Sequence, residues 1–347
     1  MRRCAVPVTQ ADVARRAGVS QRTVSNVVNK FPHVSADVVA RVTEAIEALG
    51  YTPSHAARSL RLGRSGLLQL VVPELDVPYF AELARGVVKC AEERGFGVMV
   101  RQTLGDRERE RDALEGPAAE HAEGTILSAV GSIEDILATG RGRSPVVLIG
   151  ERTGMGLVDH IGIDDTAAAA EATRHLVETG RRRVAFIGAD PADSLRMAEL
   201  RLRGYEQALT SAGLPFDETL VVRTRSYHRK DGEEAMAALL ALGPDRRPDG
   251  VFCATDLLAL GALRTARTSG VAVPTELALV GFDGLEEGEY SAPTLSTVAP
   301  DKAEIARVAV ETLLARIAAR AGVEDEPPAQ DLLIAFDLVV RESSRAV

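Results

Sequence analysis

The chain has 347 residues, 46% of them hydrophobic, and a formal net charge of −9 at pH 7, so it is long enough for two or three domains with large cores. Its three cysteines are widely spaced and its six histidines lack metal-site spacing, so we expect no disulfide framework, no metal and no cofactor. No apolar run has the length of a membrane span or a signal peptide, which predicts a soluble, cytoplasmic protein.

Charge is distributed unevenly along the chain. Residues 1–66 contain 10 Lys and Arg against 4 Asp and Glu, a net charge of +6, whereas the remainder contains 31 against 46, a net charge of −15. A basic end attracts phosphate and an acidic body repels it. The pattern therefore predicts nucleic-acid binding by the N-terminal end alone.

The first predicted elements are two short helices joined by a glycine turn. Thr9 and Asp12 have the spacing of a capping box, Gly18 is a typical helix stop, and Ser20 begins the second helix. This pattern predicts a helix-turn-helix, whose second helix fits the major groove of DNA.

Polar side chains follow the start of that second helix. Gln21 and Asn26 have the paired donor and acceptor that suit adenine, and Arg22 has the paired donors that suit guanine. The alternative is an ordinary solvated helix face.

A third helix and a basic linker complete the N-terminal region. Apolar residues recur at helical spacing between Ser35 and Gly50, which predicts a helix with Gly50 as its stop. Pro53 interrupts the helical pattern, and the residues from Ser54 to Leu62 have the composition of a brief basic helix.

Beyond Gly66, short apolar strands alternate with helices in two series. The first series begins with the strand Leu67 to Val72 and the helix Tyr79 to Arg94, and the second begins with the strand Val184 to Gly188. Such alternation predicts parallel sheets covered on both faces, with a ligand cleft at the carboxyl ends of the strands. The predicted fold class is an all-α helix-turn-helix headpiece plus an α/β core of two doubly wound parallel-sheet lobes.

Several sequence runs resemble one known family. They are VTxxDVAxxAGVS, TVSxVVN, VSxxxxxRVxxAIxxLGYxP and AARSLR in the N-terminal region, and PYFAELARGV, RLRGY, VFCATDLLALGAL and LALVGFDG in the body. The chain resembles the lactose repressor (LacI/GalR) family, whose core is similar to periplasmic sugar-binding proteins. The resemblance implies a dimeric, ligand-responsive repressor that binds a pseudo-palindromic DNA operator.

The resemblance also implies domain boundaries. The headpiece would span 1–66, with a hinge helix at about 54–62. The N-terminal lobe of the core would comprise 67–163 and 298–322, and the C-terminal lobe 164–297 and 324–340.

Roles for DNA-contacting residues follow from the same resemblance. Leu60 would be an apolar wedge in the minor groove, which unstacks and bends the duplex, although an ordinary packing leucine is the alternative. The full implied set is Ser20, Gln21, Arg22, Thr23, Asn26, Ala57, Arg58, Leu60 and Arg61.

Six residues are implied to bind the effector. A guanidinium suits vicinal hydroxyls or a carboxylate, a strand-end carboxylate accepts from ligand hydroxyls, and aromatic rings cover an apolar sugar face or a base. A surface salt bridge for Arg201 and a helix or turn cap for Asp283 are the alternatives. The set is Tyr79, Phe80, Arg201, Tyr227, Thr255 and Asp283.

Two departures from the family leave the effector open. Thr255 stands where many members have asparagine, and Gly150 and Glu151 fall where others have aspartate. A sugar of carbohydrate utilisation, or its phosphate, is the first expectation, and a nucleoside or purine is the second. Whether the ligand releases or promotes DNA binding also stays open.

Enzymatic activity is not expected. The chain has no GxSxG nucleophile turn, no P-loop and no GxGxxG loop after a strand. Asp164 and Asp165 resemble a carboxylate pair, but we expect Asp165 or Thr166 to cap the following helix. A sugar-binding protein without DNA function remains a rival, although it would not need the basic headpiece.

Overall fold

The computed structural model describes residues 8–28, 31, 33–51, 65–117, 119–130, 133–138, 144–150, 156–190, 196–322 and 327–345. The chain divides into two compact units, Met1–Gly66 and Leu67–Val347.

The N-terminal unit contains three helices, α1 (Gln10–Ala17), α2 (Gln21–Val28) and α3 (Ala36–Leu49). The predicted capping box is present: the Asp12 carboxylate accepts hydrogen bonds from the Thr9 backbone N–H at 3.0 Å and from its hydroxyl at 2.6 Å. Gly18 and Gly50 follow α1 and α3 with φ of 65° and 60°, the left-handed geometry predicted for both helix stops.

A small apolar core holds these helices together. It is made of aliphatic side chains from all three helices, which bury one face of α2 and leave the other to solvent. The buried members are Val13, Ala14, Ala17, Val24, Val42 and Ala45.

The body contains two six-stranded sheets. The first has the strand order β11-β5-β4-β3-β1-β2 and the second β12-β10-β9-β8-β6-β7, and every strand pair is parallel except β10 with β12. The strands are β1 Leu67–Val72, β2 Gly97–Gln102, β3 Gly124–Leu127, β4 Val146–Ile149, β5 Asp159–Gly162, β6 Val184–Ala189, β7 Val221–Arg223, β8 Gly250–Cys253, β9 Ala278–Phe282, β10 Ser296–Pro300, β11 Asp331–Leu333 and β12 Phe336–Val339.

Helices connect the parallel strands. They are α4 Pro78–Glu92, α5 Arg107–Glu115, α6 Glu134–Ala138, α7 Asp165–Glu178, α8 Arg196–Ser211, α9 Arg229–Leu240, α10 Asp256–Thr268 and α11 Lys302–Arg320. The central strands β6, β8 and β9 are buried along their whole length, as expected for parallel strands covered on both faces. The predicted fold class is thereby confirmed.

The chain passes between the two sheets three times, and the observed crossings correct two predicted lobe boundaries. β10 pairs with β9 and β12 in the second sheet up to Pro300, so the return to the first lobe comes after Pro300 and not at Val298. β11 pairs with β5 in the first sheet, so its assignment to the C-terminal lobe was wrong. The prediction failed because β11 and β12 follow each other closely in the chain, yet each is an edge strand of a different sheet.

Local differences also arise at loops. The charged stretch from Glu108 to His121 has a helical composition but is not one helix: α5 ends at Glu115, and a separate single turn covers Ala119–His121. Gly116 and Pro117 lie at the break, where proline cannot continue the ladder of helical hydrogen bonds. None of the helices in the described ranges combines the length and the apolarity needed to span a bilayer.

A buried ion pair fastens the last crossing segment to the first lobe. Arg316 of α11 is 8% exposed and binds both carboxylate oxygens of Asp159, which is 1% exposed, at 2.6 and 2.7 Å. The same guanidinium donates to the carbonyls of Pro327 and Pro328, and Asp159 accepts from the Gln330 N–H. The segment that enters β11 is therefore held by charge-assisted bonds.

Replacement of this arginine by methionine is expected to lower the free energy of unfolding by about 3–5 kcal/mol, because it leaves the buried Asp159 carboxylate unpaired. Denaturant unfolding measures the change. Arg307→Met is the matched control, since Arg307 lies on the same helix in exposed pairs with Glu304 and Glu311 and should cost at most about 1 kcal/mol. Equal losses in the two variants would contradict the assignment.

Candidate functional site

The second helix of the N-terminal unit presents the predicted base-reading residues. Gln21 and Arg22 are exposed at the start of α2, and Asn26 is half-buried one turn later. The Ser20 hydroxyl accepts a hydrogen bond from the Thr23 N–H at 3.1 Å and contacts the Thr23 hydroxyl at 2.9 Å, so these two side chains form the cap that begins the helix. Polar groups therefore face outward from a helix whose other side is buried.

The predicted hinge residues lie outside the described ranges. They are Ala57, Arg58, Leu60 and Arg61. Their contacts with DNA stay predictions.

The body encloses a cavity of about 300 Å³ where the carboxyl ends of the two sheets face each other. All six residues predicted for effector binding line it: Tyr79, Phe80, Arg201, Tyr227, Thr255 and Asp283. Much of the remaining lining is apolar or glycine, and it also includes the polar side chains of Glu74, Ser128, Asp165, Arg225, Ser226 and His228.

The Arg201 side chain is fixed by its surroundings. Its Nε donates to Asp165 Oδ1 at 2.8 Å, its Nη1 donates to the Ala254 carbonyl, and its guanidinium lies 3.4 Å from the centre of the Phe282 ring. The residue is 8% exposed, so this is a buried ion pair rather than the surface salt bridge of the alternative interpretation. A clamped guanidinium offers a preorganised donor to a ligand.

The prediction that Asp165 or Thr166 caps α7 is wrong. The helix cap of α7 is Asp164, whose carboxylate accepts from the Ala167 N–H at 3.0 Å. Asp165, one position later, points to Arg201 instead. Adjacent carboxylates cannot be told apart by sequence when only one of them meets a cation from a distant helix.

Asp283 lies at the end of β9, 4.0 Å from Arg201 Nη1, with a backbone φ of 120° that is unusual for a residue other than glycine. Burial raises the pKa of its carboxyl to about 7, although Arg201 and Lys302 oppose the rise. The neighbouring Asp256 is fully buried, and burial together with the charge of Asp283 raises its pKa well above the ordinary value. Near neutral pH, Asp283 can therefore either donate to or accept from a ligand.

Aromatic and hydroxyl groups complete the lining. Tyr79 and Phe80 begin α4 and pack edge to face, with their ring centres 5.3 Å apart. Burial, assisted by the charge of Asp283, raises the pKa of Tyr79, so its phenol stays neutral. The Thr255 hydroxyl accepts from the Leu258 N–H at 3.2 Å as the cap of α10, and Tyr227 lies in the loop before α9.

Sequence reasoning missed the contacts that Lys302 and His228 make between the lobes. Lys302 Nζ donates to the carbonyls of Asp283 and Gly284, at 2.6 and 2.8 Å, and lies 2.9 Å from Glu82 of α4. At the cavity lining, His228 Nε2 lies 3.1 Å from Glu74 Oε2. No local motif marks these residues, because Lys302 reaches the Asp283 and Gly284 carbonyls, and His228 reaches Glu74, from the opposite lobe.

Comparisons with known proteins agree with this architecture. A family model described as bacterial regulatory proteins, lacI family, matches residues 9–54, and a periplasmic binding protein-like domain matches residues 173–344. The HTH-type transcriptional repressor PurR of Glaesserella parasuis is 30% identical over 97% of this chain and 98% of its own length.

Solved structures are similar over almost the whole chain. A complex of the transcriptional regulator CelR with cellobiose has a TM-score of 0.71 and 32% identity over 97% of this chain and 99% of its own. A lac repressor dimer bound to operator and the anti-inducer ONPF has a TM-score of 0.82 and 25% identity over 98% of this chain and 99% of its own.

The raised pKa of Asp283 leads to a pH-dependent prediction. A carboxyl whose folded pKa exceeds its unfolded value binds more protons when folded, so its contribution to stability falls as the pH rises from about 4 to about 7. Asp283→Asn removes this penalty. Its melting temperature should exceed that of the unmodified protein by more at pH 8 than at pH 5, by a few degrees.

Thermal unfolding monitored by circular dichroism at the two pH values measures this difference. Asp76→Asn is the control, because Asp76 is exposed in the loop after β1 and should show no such trend. A constant difference between the Asp283→Asn and unmodified proteins would contradict the titration of Asp283 in this range.

Proposed function

The chain belongs to the lacI family of bacterial regulatory proteins and is a DNA-binding transcriptional regulator, and we propose that it is a dimeric repressor of carbohydrate-utilisation genes whose affinity for a pseudo-palindromic operator is set by a small sugar in the body cavity. One combination favours this proposal most. The basic N-terminal unit presents a helix with outward-facing polar residues, and the acidic body contains a cavity lined by Arg201 and Asp283.

A dimer follows from the size of the reading surface. Gln21, Arg22 and Asn26 of one α2 cover only a few base pairs, too few for specific affinity at ordinary salt. Two heads related by a two-fold axis read two half-sites about one helical turn apart, which makes the operator palindromic. The lac repressor structure is described as a dimer bound to operator, in agreement with this arrangement.

A sugar fits the chemistry of the cavity. Its hydroxyls match the donor of Arg201 and the carboxyl of Asp283, and its apolar face matches Tyr79 and Phe80. Cellobiose in the CelR complex supports a carbohydrate. A purine is the second candidate, because the same aromatic pair can stack on a base and Asp283 can accept from a ring N–H.

Ligand binding would act through the contacts between the lobes. Lys302 of the first lobe donates to the carbonyls of Asp283 and Gly284 in the second, and His228 and Glu74, which contact each other across the lobes, lie at the cavity lining. A ligand that interacts differently with the open and closed arrangements shifts their populations. By linkage, the operator and the ligand then alter each other's affinity by the same factor.

The deciding experiment is selection of binding sites from a random duplex pool with the full-length protein at stated salt. Enrichment of a pseudo-palindrome supports the dimer and the paired reading helices together. If no sequence is enriched, either with or without cellobiose or adenosine, the proposal that the protein binds a specific operator is refuted.

Arg22→Ala is expected to cost about 1–3 kcal/mol of operator binding and to relax preference at one base position, because a bidentate contact to guanine is lost. Fluorescence anisotropy with a set of single-base operator variants measures both effects. Arg41→Ala is the control, since Arg41 pairs with Asp37 on α3 and should leave the preference unchanged. An equal loss on all sequences would show that Arg22 contacts only phosphate.

Arg201→Met is expected to weaken binding of the effector about 10- to 100-fold, the effect of losing a charged hydrogen bond. Cellobiose and adenosine are the probes in isothermal titration calorimetry, and a melting curve confirms that the variant is folded. Arg203→Met is the matched control, because Arg203 lies on the same helix in an exposed pair with Glu199. Unchanged affinity in Arg201→Met for a probe that binds the unmodified protein would exclude Arg201 from the site.

A further inference from the structure

Arg225 is a charged residue of the cavity lining that no sequence motif indicated. It lies two positions beyond the end of β7, lines the cavity and is exposed. Its guanidinium makes no ion pair and no hydrogen bond with any residue in the described ranges. The N–H donors of this side chain are therefore available to a ligand.

The other charged side chains of the lining all have partners in the part of the chain that the structure describes. The pairs are Arg201 with Asp165, Arg201 with Asp283, and His228 with Glu74. Among the described lining residues, only Arg225 carries a charge that no other protein side chain balances. The cavity therefore holds one cation whose natural partner is an anion from outside the chain.

The backbone on both sides of Arg225 is anchored to the second lobe. The Thr224 N–H donates to the carbonyl of Ala189, the last residue of β6, at 3.0 Å. The Ser226 hydroxyl donates to the Asp231 carboxylate of α9 at 2.6 Å. Because the neighbouring residues are held, a ligand that binds Arg225 has to order only one side chain, which lowers the entropic cost of binding.

The order of the strands separates Arg225 from the carboxyl group of Asp283. Arg225 follows β7, the edge strand of the second sheet, and Asp283 follows β9, three strands away in the order β9-β8-β6-β7. Neighbouring strands are about 4.8 Å apart, so the ends of β7 and β9 lie roughly 14 Å apart. The wall that the second lobe contributes to the cavity thus has a cationic end at β7 and a carboxyl end at β9.

Arg201 is a poor alternative site for an anion. Its guanidinium is already bound to Asp165 at 2.8 Å and lies 4.0 Å from Asp283. A second negative charge placed there would be repelled by these carboxyl groups whenever they are ionised. An anionic group in the cavity is therefore favoured at Arg225, and hydroxyl groups of a ligand are favoured beside Arg201.

A neutral ligand does not satisfy this arrangement. A neutral sugar that fills the cavity would remove water from Arg225 without supplying a counter-charge, which costs free energy. A phosphate or a carboxylate supplies the charge, and both match the planar fork of a guanidinium with two parallel hydrogen bonds.

We propose that Arg225 is a specificity-determining residue and that the effector is a sugar that carries an anionic group, either a phosphate or a carboxylate, bound by Arg225 while its hydroxyls face Arg201 and Asp283. This inference rests on the proposed function, which makes the cavity the effector site, and it narrows the small sugar to an anionic one.

The test is isothermal titration calorimetry of the full-length protein with neutral sugars and their anionic counterparts. The probes are glucose with glucose 6-phosphate and glucuronate, and cellobiose with cellobionate. At least one anionic probe should bind about tenfold more tightly than its neutral counterpart. Its affinity should fall between about 0.05 M and about 0.5 M salt, because salt screens an exposed charge pair. Preference for glucose 6-phosphate over both carboxylates identifies a phosphate, and the reverse preference identifies a carboxylate.

Arg225→Gln should weaken binding of the preferred anionic probe about tenfold and leave the affinity for the neutral counterpart unchanged, since only the charged contact is lost. Arg223→Gln is the matched control. Arg223 lies two residues earlier, pairs with Glu218 and is not part of the cavity lining, so both affinities should stay unchanged. Melting curves confirm that the two variants are folded.

Three results would overturn the assignment: no anionic probe binds, the neutral and anionic probes bind equally, or the two variants lose the same affinity. Neutral sugar binding that Arg201→Met weakens and Arg225→Gln leaves unchanged would refute this inference and retain the proposed effector site. Conversely, binding of an anionic probe that depends on Arg225, in a protein that selects no operator sequence, would refute the proposed function and retain the role of Arg225.

Discussion

The cleft face of the second lobe depends on one buried cation, Arg201. A guanidinium cannot stay in an apolar interior without partners, so its burial requires Asp165, the Ala254 carbonyl and the ring of Phe282 to converge on it. Those partners come from α7, from the end of β8 and from β9, and Asp283 follows directly on β9. The same constraint that makes the charge tolerable therefore also orders the part of the cavity wall that we propose to bind the effector.

The two lobes are joined by contacts of unequal strength. All three protons of the Lys302 ammonium can be used, by two carbonyls of the second lobe and by Glu82 of the first, and the group is largely buried. The His228 and Glu74 pair is much more exposed, so solvent weakens it. Lys302 is therefore expected to hold the two lobes together more firmly than His228 does.

Sequence reasoning succeeded where the signal is local or is repeated along an element. The capping box of Thr9, the glycine stops after α1 and α3, and the long apolar strands each follow from a few adjacent residues. The six residues that motif resemblance implies for effector binding line one cavity, and their roles in binding stay predictions. It failed for Asp165, because a cap and an ion-pair partner have the same local sequence, and for β11, because three residues are too few for a periodic pattern.

The sequence by itself determined the helix-turn-helix, the alternation of strands and helices, and the separation of a basic end from an acidic body, since each depends on neighbouring residues or on composition. Only the tertiary structure decided which carboxylates face Arg201 and that Lys302 bridges the lobes. The partners in those contacts are separated by up to 220 residues in the sequence. A pattern of neighbouring residues cannot indicate a contact over such a separation. The strength of those contacts is set by burial and distance, which exist only once the chain has folded.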